Sequence, residues 1–211
     1  MSLTLEQYLA LSVFDYDKIE PGYKDKAIGK FLDKINKDDN KKLIPELGVL
    51  SQIQNWVLIG YEKNTISGMG AVAFQNPDTK EIVIAYRGTH GIGRNIKEAI
   101  KDYETDLAIA SSGNKVVEHG LNQFQDAFNF YIDIKNKTKI TDPGKITITG
   151  HSLGGGLAQY VAYKTKGRHQ TTTFDAVGIG QVLPGVNPRD YDSSITDYVN
   201  ENDIIGLYGE Q

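Results

Sequence analysis

The chain has 211 residues and not one of them is cysteine. That excludes disulfides, thiolate metal sites and a cysteine nucleophile. The compartment stays open, because a cysteine-free chain suits the bacterial cytoplasm and also export without a cleaved signal. No apolar run approaches the roughly 18 residues needed to span a bilayer, so any membrane contact is expected to be peripheral. The N-terminus, MSLTLEQYLALSVFDYDK, lacks a basic leader and carries Glu6 early, which is not the pattern of a signal peptide. Net charge is only −4 and no basic stripe stands out, which argues against nucleic acid as a partner. Lys135, Lys137 and Lys139 read as a solvated helix end. No metal cluster of recognisable spacing, internal repeat or low-complexity linker is present, and no cofactor is expected.

What is there is an ordinary globular composition, 39% hydrophobic and 24% charged. The length suits one domain over residues 1–211 with a single sizeable core. Leu5, Tyr8, Leu9, Ser12 and Val13 recur at helical spacing, and Pro21-Gly22 breaks that helix. A second helix is expected over Lys24 to Ile35, then a loop at NKDDNKK. The runs WVLIGYE, GMGAVAFQN and EIVIAYRG read as strands, the last two joined by a turn at Asn76-Pro77-Asp78. A helix is expected over 95–110, and another on the stripe Leu121, Phe124, Phe128 and Ile132. KITITG is a strand, Leu153 to Lys164 a helix, and TTTFDAVG and ITDYVN are two more strands. Strands alternating with helices after an antiparallel hairpin indicate a mostly parallel α/β sheet. Residues 1–50 are expected to form a helical layer on one face of it. Working residues in such sheets sit at the C-terminal ends of strands.

One such end stands out. ITITGHSLGGGLAQY reads as a buried strand, a tight turn Gly150-His151-Ser152-Leu153-Gly154, and a helix. Gly-x-Ser-x-Gly between strand and helix is the nucleophile-elbow pattern. The glycines are needed because residues two before and two after the serine approach each other closely. The helix points backbone N–H groups and its positive dipole end toward the serine, so the Leu153 N–H is a natural donor to a tetrahedral oxyanion. The competing reading, a glycine-rich turn with an incidental serine, fits the flanking β-branched strand and amphipathic helix less well.

GHSLGGGLA resembles the elbow of the class 3 (fungal-type) lipases, and other segments agree in order. IVIAYRGTH resembles their strand ending in an aromatic-Arg-Gly-Thr or Ser motif. GRNIKEAIKDYETDL resembles the lid segment, and VEHGLNQFQDAF the helix entry that follows. TTTFDAVGIG resembles the strand after the elbow, although that family often has Gly and Pro where this chain has Asp175 and Val177. DYVNENDII resembles the strand and loop bearing the catalytic acid. The likeness covers about residues 56 to 208, with only the elbow and the Arg-Gly-Thr motif specific. It implies an α/β-hydrolase fold with an antiparallel hairpin, and hydrolysis of acyl esters of glycerolipids by a lipase or phospholipase. It further implies that Ser152 is the nucleophile, that Thr89 and Leu153 form the oxyanion hole, and that Asp203 orients the base. Asp175, also at a strand end after the serine, is the rival acid.

The base is the difficulty. In this fold the triad runs Ser, Asp, His along the chain, yet the four histidines all precede Asp203. His151 is expected to turn its ring into the sheet. His119 sits at a helix entry, and His169 reads as surface loop. His90 follows Thr89 and is a weak substitute. Two explanations remain: the chain lacks its C-terminal segment and the base lies on it, or the site has decayed into a lipid- or protein-binding module.

Ile96, Ala99, Ile100, Tyr103 and Leu107 form an apolar stripe between charged residues. The pattern fits a core-facing helix and equally a lid; the resemblance implies the lid, hinged at Gly91 and Gly93, which would meet a lipid surface when open.

Overall fold

The computed structural model describes residues 3–13, 19–38, 45–63, 67–87, 118–179 and 194–199. Helices α1 (Leu5–Val13), α2 (Ile28–Asp38) and α3 (Pro45–Leu50) precede strands β1 (Val57–Glu62), β2 (Gly70–Gln75) and β3 (Ile82–Arg87). Helix α4 (Glu118–Thr138), β4 (Ile146–His151), α5 (Leu153–Lys164), β5 (Gln170–Phe174) and β6 (Ile195–Tyr198) follow. The six strands form one sheet in the order β1-β2-β3-β4-β5-β6. The pairs β1–β2 and β2–β3 are antiparallel, and β3–β4, β4–β5 and β5–β6 are parallel.

Every residue of β3 is buried, which is what a central strand covered on both faces requires. Its side chains alternate. Ile82, Ile84 and Tyr86 join Ile146 and Ile148 against Phe124, Phe130, Leu157 and Val161. Val83 and Ala85 join Val72 and Phe74 against Leu11, Phe31, Leu32 and Trp56. The period-2 pattern thus divides one sheet between two cores. One is roofed by α4 and α5, the other by the N-terminal helices. The Tyr86 hydroxyl donates to the Ala127 carbonyl at 2.8 Å, fixing α4 on β3. In the β2–β3 turn the Asn76 side chain accepts from the backbone N–H of Asp78 and Thr79, which is how Asn closes a turn.

Two expectations shift. The second helix begins at Ile28 and not at Lys24, because residues 25–28 are bound to the start of β1. Asp25 N–H donates to Leu58 O and Ile28 N–H to Trp56 O, and Ala27 bridges Val57. Helix α3 was not anticipated; it opens on Pro45, whose missing N–H costs nothing at a first helical position.

Candidate active site

The chain leaves β4 at His151, turns at Ser152 and enters α5 at Leu153. Ser152 has φ 54° and ψ −125°, a backbone that a residue with a Cβ rarely adopts. The end of β5, the segment after it and the first turn of α5 hold it there. Its N–H donates to Phe174 O at 3.0 Å, and its carbonyl accepts from Gly156 N–H at 3.2 Å and Val177 N–H at 3.3 Å. The turn is so tight that a Cβ on Gly150 would collide with the Gly154 carbonyl. A Cβ on Gly155 would stand 2.6 Å from the Ala176 Cβ. These two glycines let the helix start and the segment after β5 close on the serine from both sides. Leu153 turns its side chain into the core, while its backbone belongs to the first turn of a 12-residue helix whose positive end faces the elbow.

The C-terminal ends of β4, β5 and β6 carry three titratable side chains. His151 Nε2 lies 3.9 Å from Asp175 Oδ2, with the two side chains 34% and 17% exposed. Asp175 has φ 45°, and its N–H donates to Tyr198 O at 3.0 Å. A left-handed backbone of this kind favours glycine. On β6, Asp197 accepts from the Thr173 hydroxyl at 2.8 Å. Burial pushes the Asp197 carboxyl above the usual aspartate range. The Thr173 hydroxyl and the Ala176 N–H oppose that shift, and the charge of Asp175 adds to it.

Two of the histidine expectations are corrected. His151 does not bury its ring in the sheet; it stands half-exposed at the strand end, beside Asp175. His169 is not on the surface; it is 3% exposed. Its Nδ1 lies 3.0 Å from Pro143 O and its Nε2 2.8 Å from Tyr131 Oη. A carbonyl only accepts, so Nδ1 carries the proton and Nε2 accepts from the tyrosine. Those two bonds offset the loss of water around the ring, and burial holds the imidazole below its ordinary pKa.

Thr89, His90, Asp203 and the 91–110 segment lie outside the described residues, so only Ser152 and Leu153 of the expected site are placed. His119 falls in the first turn of α4. Asp197 went unnoticed in the sequence, although a lone acid within the strand run SITDYVN was a usable signal. Among the described residues no group of three or more His, Asp or Glu side chains could hold a metal ion. No described helix is long and apolar enough to cross a membrane.

A strained serine between strand and helix, at the C-terminal ends of the parallel strands of a mixed sheet covered by helices on both faces, defines the α/β-hydrolase class. Residues 9–206 match the model of the Tle-like phospholipase domain, and the chain belongs to that family, a lipolytic ester-hydrolase group. No curated protein matches the sequence. Solved lipases share the fold. Lip2 lipase from Yarrowia lipolytica is 18% identical with a TM-score of 0.54, over 96% of this chain and 71% of that one. The lipase from Rhizopus microsporus var. chinensis is 18% identical with a TM-score of 0.60, over 95% and 66%. A triacylglycerol lipase whose catalytic centre is a serine protease triad is 17% identical with a TM-score of 0.50, over 95% and 70%. The chain therefore spans about two thirds of the length of these lipases.

Proposed function

We propose that the protein is a serine ester hydrolase that cleaves acyl esters of glycerolipids, phospholipids foremost, through an acyl-enzyme on Ser152. The observation that carries this reading is the Ser152 backbone, φ 54° and ψ −125°. Strain of that kind costs on the order of 1–3 kcal/mol and persists where function uses it. In the first half-reaction Ser152 Oγ attacks the ester carbonyl and its proton passes to a base. The tetrahedral oxyanion is met by the Leu153 N–H at the start of α5 and by Thr89. Collapse breaks the acyl–oxygen bond, and the leaving alcoholate takes the proton back. Water then attacks the acyl-serine with the roles reversed. Asp203 orients the base, and the base is a histidine. His169, with both ring nitrogens engaged, is not a candidate for it.

The family match supports the phospholipid class of substrate. The lid that the resemblance implies for GRNIKEAIKDYETDL would suit a substrate presented in a bilayer.

The experiment is fluorophosphonate labelling of the full-length protein, beside fatty-acid release from phosphatidylcholine vesicles. Ser152 is expected to be labelled, and Ser152→Ala to abolish both signals. A wild-type protein that is unlabelled and inert on short and long acyl esters overturns the enzyme reading and favours the binding module.

A further inference from the structure

Asp175 is an aspartate where the backbone asks for glycine. Its φ of 45° is tolerated by Asp better than by most residues but favours glycine. Its carboxylate is turned toward His151, the residue covalently joined to Ser152. The neighbours of Asp175 hold the serine directly: Phe174 O accepts from Ser152 N–H, and Val177 N–H donates to Ser152 O. Asp175 N–H itself is tied to Tyr198 O on β6. One residue thus connects three strand ends around a strained serine. Ser152 and Asp175 both have positive φ, and Asp175 lies between the two residues that bond Ser152, Phe174 and Val177.

We propose that Asp175, acting through His151, is a positioning residue for Ser152. The inference rests on the reading of Ser152 as the nucleophile. The backbone bonds hold Ser152 through its N–H and its carbonyl. Attraction between the Asp175 carboxylate and the His151 ring, 3.9 Å apart, adds a side-chain restraint on the residue just before it. A nucleophile so held meets the acyl carbonyl in line with the oxyanion donors; one released from the side misses that geometry more often.

The test uses Asp175→Gly and Asp175→Asn in the full-length protein. Four quantities are read: the second-order rate of Ser152 labelling by a fluorophosphonate, kcat and KM on a short acyl ester, and Tm. Both variants are expected to label more slowly and to lose kcat by about 10- to 100-fold, with KM held within about twofold. Tm of Asp175→Gly is expected to stay level or rise, because glycine takes this φ without strain. Two results overturn the inference: wild-type labelling and kcat in both variants, or losses that follow a fall in Tm in both. If wild-type Ser152 is itself unlabelled, the nucleophile reading fails first and the positioning role falls with it. Labelled wild type with unchanged variants removes the positioning role alone.

Discussion

The carbonyl of Gly154 occupies the space that a side chain on Gly150 would need. The two residues are the outer positions of the elbow, and their contact is backbone against backbone, so no rotamer change relieves a clash. Gly150→Ala is therefore expected to destabilise the fold by about 3 kcal/mol or more. Urea unfolding of the variant checks this; a midpoint within error of wild type would mean the turn is looser than its geometry indicates.

Ser152 is held at a φ of 54° that glycine adopts freely. Ser152→Gly is expected to gain about 1 kcal/mol of stability while losing all labelling by an active-serine probe. The opposed signs separate a strained working residue from a structural one. A variant that loses stability with its labelling would speak against stored strain.

His169 sets an acid limit on stability. Burial lowers its pKa in the folded protein below the ordinary 6.5, so the unfolded chain takes up its proton first as pH falls. The stability tied to this group is full above about pH 6.5 and is lost as pH drops below it. His169→Gln is expected to flatten that part of the curve of urea midpoint against pH. Tyr131→Phe, which removes the partner of Nε2 at 2.8 Å, is expected to cost about 1–3 kcal/mol.

Asp197 acts in the opposite sense. Its folded pKa lies above the ordinary 3.8, so the folded state binds the proton more tightly. Its contribution is complete below about pH 3.8 and declines as pH rises through the raised folded value. Asp197→Asn is expected to remove this decline and to be at least as stable as wild type at neutral pH. Urea midpoints between about pH 4 and 7, compared with those of His169→Gln, separate the two slopes.

Local chemistry made much of this molecule legible in its sequence. The strand runs at β1 to β6, the Asn76 turn and the strand–Gly-x-Ser-x-Gly–helix unit depend on neighbours a few residues apart. The elbow could be read because its strain is met by glycines two positions either side of the serine. What the sequence could not place was decided by contacts between distant segments. His169 looked like a loop residue until α4 brought Tyr131 to its ring. The start of α2 moved because β1 claims the backbone of Asp25 and Ile28. His151 and Asp175 are 24 positions apart, and only the parallel register of β4 on β5, with His151 beside Phe174, sets them side by side. Composition and periodicity fix which face of an element is apolar; the pairing of strands fixes which polar groups meet at their ends, and pairing is a property of the whole sheet.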